Sequence, residues 1–260
     1  MDAAYVELRD GAFRATGLTV GPWNPEHQHA GPPSALIARA IERAAASEGL
    51  THLARLTVNL IRPAPIGECR VEIAKDYVGR NAGHYSGALS AGGKECARFT
   101  ALVQREQDVP VPGRNPDPPA APKPPGECPA ATMRFVDRPF GYAELVENRV
   151  AAGHMFKGPC AAWFRMAHPL VKGEPPSPYQ RVAVAADSGS GIGAALDFGK
   201  YSFVNCDLTI NLFRRPEGEW ICLESLSLVG ANGCGMAESA LYDERGMIGR
   251  ATQSLAVRAR

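Results

Sequence analysis

The 260-residue sequence has little net charge and no long apolar run, and these absences exclude several classes of protein. Its net charge at pH 7 is +1, from 28 Lys and Arg against 27 Asp and Glu, so its charge does not favour nucleic acid or an acidic surface as a partner. The N-terminal segment carries acidic residues and no apolar stretch, which predicts neither a signal peptide nor a membrane span. We therefore expect a cytoplasmic protein that binds neither nucleic acid nor membranes.

Cysteine is present, but not in a pattern that indicates cross-links or metal ligands. The seven cysteines lie singly along the chain, and none is paired with another at C-x-x-C spacing. An odd number of cysteines without paired spacing argues against a disulfide framework and against a zinc site. His27 and His29 are potential metal ligands, but the sequence offers no third ligand nearby, so we interpret both as loop histidines. The sequence predicts no metal and no cofactor.

Two common signatures of catalytic or nucleotide-binding sites are also missing. The chain has no G-x-S-x-G nucleophile elbow, because Ser188 precedes Ser190 by two residues where a glycine is required. Residues 189–194 fit the pattern G-x-G-x-x-A. A dinucleotide site, however, needs a long helix directly after that loop, and a strand-like segment follows soon after Gly199 instead. Nucleotide binding is therefore not expected.

The sequence does contain an internal repeat of long period. Residues 56–63 read LTVNLIRP, and residues 208–216 read LTINLFRRP. The match continues in order, since residues 78–81 are answered by 229–232 and residues 87–89 by 239–241. Solenoid repeats are only about 20–50 residues long, so this repeat predicts two copies of a whole domain fused in tandem.

Chain length and proline content indicate where the two copies meet. A chain of 260 residues is long enough for two domains of ordinary size. Residues 109–129 contain nine prolines, and such a stretch cannot continue a β-ladder, so it predicts an extended linker. We predict an N-terminal domain at residues 1–108, a linker at 109–130 and a C-terminal domain at 131–260.

Each copy shows apolar periodicity typical of one buried helix and an antiparallel meander. In the first copy, apolar residues recur at three- and four-residue spacing over residues 32–47, behind a Pro-Pro first turn. Segments in which apolar and polar residues alternate follow at residues 54–62, 68–78, 83–91 and 94–105. The second copy has counterparts at 202–214, 219–229, 235–242 and 247–258. The pattern predicts the α+β class, with an antiparallel sheet wrapped on a central helix.

Five segments follow one another in an order that resembles a known family. They are HAGPPSAL at residues 29–36, VNLIRP at 58–63, VAVAAD at 182–187, NCDLT at 205–209 and GMIGRATQSL at 246–255. Together they resemble the TesB-like acyl-CoA thioesterases, which have a double hotdog fold. The resemblance covers nearly the whole chain. It implies two hotdog units whose sheets join edge to edge, since pairing hides two exposed edges. It also implies an acyl-CoA substrate and a homo-oligomer, either a dimer or a dimer of dimers.

The resemblance also implies which residues carry the chemistry. Acyl-CoA thioesterases of this family lack a Ser-His-Asp triad, and a carboxylate, a polar strand residue and a glutamine hold and activate the attacking water. Carried over position by position, these roles fall on Asp187, Asn205 and Gln253. The closest family pattern has a threonine where this chain has Asn205, and an amide can hold a water about as well as a hydroxyl. Gly31 opens the first helix and is the candidate for an amide that faces the oxyanion or CoA.

Each of these acids and amides also has an alternative role. The pattern around Asp187 fits a turn-forming aspartate whose side chain bonds the next backbone amides. Gln253 lies among small and apolar residues of one strand face. Its side chain is therefore either partly buried with a functional role or located at the rim of the sheet. Asp207 is the rival carboxylate, since it lies two residues from Asn205 and would share its face. The pattern favours Asp207 as a cross-strand partner of an arginine such as Arg214 or Arg250.

The leading hypothesis is an enzyme that hydrolyses acyl-CoA to a free acid and CoA at one site per chain. In the repeat, Gln253 falls opposite about Thr100, and the first helix has no acid before Glu42, so the first copy lacks the water-activating set. Two alternatives stay open: a non-catalytic acyl or acyl-CoA binder, and a hotdog enoyl-CoA hydratase or dehydratase. The hydratase would need an Asp/His pair, and the absence of histidine from residues 205–260 counts against it.

Overall fold

The computed structural model describes residues 2–110, 119–133 and 138–260. Its first half contains strands β1 (Tyr5–Glu7) and β2 (Phe13–Ala15), helix α1 (Gly31–Ala46), and strands β3 (His52–Leu60), β4 (Glu68–Val78), β5 (Ala82–Ala91) and β6 (Lys94–Gln104). Its second half contains β7 (Ala130–Ala131), α2 (Tyr142–Leu145), β8 (Val146–Gly153), β9 (Cys160–Met166), α3 (Pro178–Ala186), α4 (Gly189–Ile192), β10 (Tyr201–Asn205), β11 (Asp207–Leu212), β12 (Trp220–Val229), β13 (Cys234–Asp243) and β14 (Gly246–Ala259).

The described strands join into one 14-stranded sheet that runs through both halves. Its strand order is β1-β2-β4-β5-β6-β3-β11-β14-β13-β12-β9-β8-β7, and β10 also pairs with β14. The order β4-β5-β6-β3 in the first half is mirrored by β11-β14-β13-β12 in the second, and the halves meet where β3 pairs antiparallel with β11. The predicted fold class, with two sheets joined edge to edge, is confirmed.

The register at this seam reproduces the sequence repeat. Thr57 pairs with Thr209, the residue at the same place in the second copy of the motif, and their Oγ1 atoms lie 3.2 Å apart. Val58 faces Leu208 on one side of this pair, and Leu56 faces Ile210 on the other. A residue that pairs with its own equivalent must lie on the symmetry axis, so the pseudo-twofold axis passes between the two threonines.

Helices α1 and α3 pack against each other and against the sheet. The apolar pattern that predicts a buried helix is confirmed in α1, where Leu36, Ile37 and Ile41 are buried. Side chains from both halves belong to one continuous apolar core, and residues from 128 onward form two smaller apolar clusters. None of the helices in the described ranges has the length and hydropathy that a membrane span needs.

The predicted linker is held in part by the second half. Residues 111–118 lie outside the described residues. Further along, the Trp163 indole donates to the carbonyl of Lys123 at 2.8 Å, and Arg149 donates to the carbonyl of Pro125 at 2.8 Å. The chain from residue 123 therefore rests on the C-terminal part of the sheet. The boundaries at residues 108 and 131 stay a prediction.

Limited proteolysis with a protease of broad specificity tests these boundaries. We expect the first cuts between residues 109 and 122, because the described residues 109–110 and 119–121 are exposed and outside regular structure. Cuts between residues 123 and 130 should come later, since that stretch is hydrogen-bonded to the sheet. Mass spectrometry of the fragments locates the cuts, and an initial cut within either half would contradict the boundaries.

Removing a buried side chain at the seam should destabilise both halves together. Leu208 is fully buried, so Leu208→Ala should lower the free energy of unfolding by about 2–5 kcal/mol through lost packing and a residual cavity. Phe213→Ala is the matched control, because Phe213 follows the same strand but is 63% exposed and should change stability by less than about 0.5 kcal/mol. Urea unfolding should show one transition in each variant. Two separate transitions would contradict a shared core.

Candidate functional site

The structure brings Asp187, Asn205 and Gln253 together from three separate elements. Asp187 is the C-cap of α3, Asn205 ends β10, and Gln253 lies in β14. The Asn205 amide donates to Asp187 Oδ1 at 3.1 Å, and the Gln253 amide lies 3.3 Å from the same oxygen. One carboxylate oxygen is therefore held by two side-chain amides.

Both amides are fixed in orientation because their oxygen atoms are also engaged. The Ser190 hydroxyl donates to Asn205 Oδ1 at 2.8 Å, and the Ser190 backbone amide donates to Gln253 Oε1 at 2.8 Å. Turning either amide over would place an oxygen against the carboxylate and an NH₂ group against a donor. Short helix α4, which contains Ser190, therefore sets which end of each amide faces Asp187.

Asp187 is buried, with only 4% of its surface exposed. A carboxylate at the C-terminal end of a helix faces the negative end of the helix dipole, which disfavours its charge. Side-chain donors offset this cost, because a buried ionised group needs hydrogen-bond partners. In the described chain these donors come from distant segments rather than from the backbone amides after Asp187, so the turn-forming role is wrong.

His29 is the residue at this site that sequence analysis missed. Its Nδ1 lies 3.0 Å from Asp187 Oδ2, and the Gly31 backbone amide nitrogen lies 3.1 Å from the same Nδ1. The signals in the sequence were its place at the head of the segment HAGPPSAL and its position two residues before the start of α1. Nothing in the local pattern shows that α1 begins beside the end of α3. Gly31, the predicted anion-facing amide, therefore lies at the site as a neighbour of His29.

Tyr142 fixes the plane of the His29 ring. The two rings are stacked, with centroids 3.6 Å apart and planes 2° from parallel. The Tyr142 hydroxyl donates to the carbonyl of Val184 at 2.7 Å and lies 2.8 Å from Ser188 Oγ. Because Val184 and Ser188 flank Asp187 along the chain, Tyr142 ties the imidazole to the segment that carries the carboxylate.

Burial sets the protonation of the two rings at this site. It lowers the pKa of the His29 imidazole, against the opposite effect of the neighbouring Asp187 carboxylate. It raises the pKa of the Tyr142 hydroxyl far above its usual range. Near neutral pH His29 is therefore neutral and Tyr142 is protonated, so the charge of the cluster depends on Asp187.

The opposite end of the helix pair holds the pseudo-equivalent of this site. There Glu42 of α1 accepts hydrogen bonds from the Ser177 hydroxyl at 2.7 Å and the Gln180 amide at 3.4 Å. The strand registers place Leu53 where the second half has Asn205, and Ala101 where it has Gln253. Ala101 is the neighbour of the Thr100 that the repeat indicated. Apolar side chains, including Leu53, enclose a cavity of about 10 Å³ at this end. The amide pair is therefore present in the second half alone.

Asp207 lies outside the cluster, contrary to the expectation that it shares a face with Asn205. The register against β14 shifts by one residue between Asn205 and Thr209, so Cys206 is the extra residue of a bulge that turns Asp207 to the other face. Its carboxylate accepts the backbone amide of Ser254 at 2.6 Å.

The expected pairing of Asp207 with an arginine is also wrong, since Arg214 binds Asp243 through two contacts of 2.6 Å. Within the described ranges, no three His, Cys, Asp or Glu side chains gather as metal ligands would.

Comparison with known proteins gives two consecutive matches to one family. Residues 19–104 match the acyl-CoA thioesterase N-terminal domain, and residues 115–257 match the acyl-CoA thioesterase C-terminal domain. Among curated proteins, none matches the chain significantly.

Solved structures of similar shape cover nearly the whole chain. A proposed thioesterase II from Thermobifida fusca has a TM-score of 0.77 and 16% identity, covering 98% of this chain and 95% of its own. A hot dog fold protein of unknown function from Alicyclobacillus acidocaldarius has a TM-score of 0.73 and 16% identity, covering 96% and 94%. Acyl-CoA thioesterase II from Mycobacterium marinum has a TM-score of 0.67 and 15% identity, covering 98% and 95%. At such identity these structures show the fold, which is the predicted double hotdog.

Titration of His29 by NMR tests the electrostatics of the site. We expect its pKa below the usual value of about 6.5, and lower still in Asp187→Asn, because that variant removes the nearby charge that raises it. The unfolded chain then binds more protons, so this histidine reduces the free energy of unfolding as pH falls below about 6.5. A pKa at or above about 6.5, or one that rises in Asp187→Asn, would contradict the assignment.

Proposed function

The chain belongs to the acyl-CoA thioesterase family, and from this premise we propose that it hydrolyses acyl-CoA to a free acid and CoA, using a water activated by Asp187 with Asn205 and Gln253. The observation that carries the proposal is the buried Asp187 carboxylate, held by two oriented amides where the two halves meet. We further propose the homo-oligomer that the family resemblance implies.

The proposed reaction needs a base for water and donors for the developing oxyanion. The water oxygen attacks the thioester carbonyl carbon while its proton passes to the Asp187 carboxylate. The resulting oxyanion collapses, the C–S bond breaks, and the leaving CoA thiolate takes from Asp187 the proton that the water gave up, which restores the carboxylate. A thiolate is a stable leaving group, so activation of water and stabilisation of the oxyanion are the main demands on the protein.

The two side-chain amides and the Gly31 backbone amide have distinct tasks in this proposal. Asn205 and Gln253 keep the carboxylate in one orientation, because both NH₂ groups lie near Asp187 Oδ1 and the Asp187 carbonyl oxygen. The proposal places the water beside that carboxylate. Gly31 is the proposed donor to the oxyanion, because the N-terminal end of a helix favours negative charge. The asparagine in the place of the family's threonine keeps a donor at this position.

A hydratase or dehydratase acting on enoyl-CoA is the second candidate, and one observation favours it. The Asp/His pair that such an enzyme needs is present, since His29 from the first half lies 3.0 Å from Asp187. The absence of histidine from residues 205–260 therefore does not count against this reaction, because the histidine of the pair comes from the other half. Both reactions add water to an acyl-CoA, one at the carbonyl carbon and the other at a carbon–carbon double bond, so their products distinguish them.

Asp187→Asn should reduce hydrolysis by about 10²–10⁴-fold, because it keeps the shape of the side chain and removes the base. The measurement is thiol release over a panel of saturated acyl-CoAs of different chain lengths. Asp207→Asn is the matched control, since Asp207 lies on the adjoining strand but outside the cluster, and it should keep wild-type turnover. Calorimetric titration with CoA should give similar affinities for both variants.

Other outcomes of this assay assign a different function. Full activity in Asp187→Asn would remove Asp187 from the mechanism. Wild-type protein that binds acyl-CoA but releases no thiol would support the non-catalytic binder, and a hydroxyacyl-CoA formed from an enoyl-CoA would support the hydratase.

A further inference from the structure

We propose that His29 is a positioning residue for the proposed hydrolysis: its Nδ1–H donates to Asp187, holds the ionised carboxylate, and leaves the Gly31 amide free to face the substrate. The proposal rests on the proposed function and deepens it. It gives the first half of the chain a defined task in a site whose other polar residues come from the second half.

One ring nitrogen of His29 lies between two competing neighbours. His29 Nδ1 is 3.0 Å from Asp187 Oδ2 and 3.1 Å from the Gly31 amide nitrogen. In a neutral imidazole, each ring nitrogen carries either a proton or a lone pair. With a lone pair, Nδ1 accepts from Gly31; with a proton, it donates to Asp187. It cannot do both.

The charge of Asp187 decides between these two states. An ionised carboxylate can only accept hydrogen bonds, so an Nδ1 lone pair at 3.0 Å would face an oxygen lone pair in a buried site. A proton on Nδ1 replaces that repulsion with a charge-assisted hydrogen bond, which is about twice as strong as a neutral one. Ionised Asp187 therefore selects the Nδ1–H tautomer of His29.

The same tautomer releases the Gly31 amide. Pro32 and Pro33 have no N–H, and the Ser34 amide donates back to the carbonyl of Ala30. Gly31 therefore supplies the one amide at the first three positions of α1, and the Nδ1–H tautomer removes its acceptor. A Cβ at Gly31 would lie 2.6 Å from the Val184 carbonyl oxygen, so only glycine lets this helix end approach the site so closely.

The surroundings of His29 keep this geometry fixed. Tyr142 stacks on the ring, and its hydroxyl is bound on both sides of Asp187. Tyr142 is the other titratable group that faces the pair, and burial raises its pKa, so it stays neutral when His29 titrates. Within the part of the chain that the structure describes, Nε2 of His29 makes no hydrogen bond. Nδ1 is therefore the ring nitrogen through which His29 contacts its polar neighbours.

Three substitutions of His29 separate the roles of its two nitrogens. The amide nitrogen of His29→Asn stands near the place of Nδ1, that of His29→Gln stands near the place of Nε2, and His29→Phe keeps the stacked ring without any donor. We expect kcat to fall about 10–100-fold in His29→Phe, as for other residues that orient a functional group, with little change in KM. His29→Asn should recover most of the loss, and His29→Gln should not.

The pH dependence of kcat/KM distinguishes a positioning role of His29 from a purely structural role, which would leave that dependence unchanged. Without the Nδ1–H donor, the charged form of the carboxylate is less favoured, so the acid limb of kcat/KM should move to higher pH in His29→Phe and stay near its wild-type position in His29→Asn. Thermal unfolding of each variant separates loss of function from loss of fold. Wild-type kcat and pH profile in His29→Phe would overturn the proposal. Equal loss in His29→Asn and His29→Phe would also overturn it, because a donor near the place of Nδ1 would then fail to restore turnover.

A measurement without substrate separates this proposal from the proposed function. In protein labelled with ¹⁵N-histidine, the imidazole nitrogens report the tautomer directly, and the His29→Asn variant identifies the signal. We expect the Nδ1–H tautomer in the wild type and a shift away from it in Asp187→Asn. The Nε2–H tautomer in the wild type would overturn the inference. Failure to hydrolyse any acyl-CoA, with the Nδ1–H tautomer present, would refute the proposed function alone.

Discussion

The antiparallel pairing of β3 with β11 is the interaction on which the rest of the structure depends. Each half alone would leave these strands as open edges, with unpaired backbone groups that must find partners. Their pairing about Thr57 and Thr209 satisfies those groups and fixes a pseudo-twofold axis at the centre of the sheet. The axis sets α1 and α3 side by side, so that the beginning of α1 lies at the end of α3. One backbone register thereby determines where a site can form.

The same axis relates two positions, one at each end of the helix pair, and these two positions differ in their side chains. At one end Asp187 meets Asn205, Gln253 and His29, and every polar group of the carboxylate faces a partner. At the other end Glu42 has hydrogen-bond partners of its own, but Leu53 and Ala101 occupy the places of the two amides. A buried polar network is favourable only when its members are satisfied. The first half reaches a stable arrangement by filling the equivalent position with apolar side chains instead.

Family membership and site geometry support the proposed function in different ways. The fold by itself supports many activities, so function must be argued from the site. The site offers a buried carboxylate, fixed amides and a neutral imidazole, which together suit the addition of water to an acyl-CoA. The choice between the thioester carbonyl and a double bond depends on where the acyl chain lies relative to Asp187, which is a property of the complex with substrate.

Sequence alone was sufficient for the features that depend on local pattern and on the repeat. The alternating segments predict the strands of both meanders to within a few residues, and the match of LTVNL with LTINL predicts the seam. The family resemblance also selected the three side chains that the structure brings together. These succeed because strand and helix periodicities act over a few residues, and a repeat transfers one domain's pattern to the other.

Tertiary structure alone decided the features that depend on how distant segments meet. The bulge at Cys206 turned Asp207 away from Asn205, because one extra residue reverses the side-chain alternation that the sequence pattern assumes. His29 became the neighbour of Asp187 because two helices from different halves lie side by side around the pseudo-twofold axis, and no periodicity within either helix contains that information. Contacts between the halves follow from the seam register and the packing of the helices on the sheet, which exist only once the whole chain has folded.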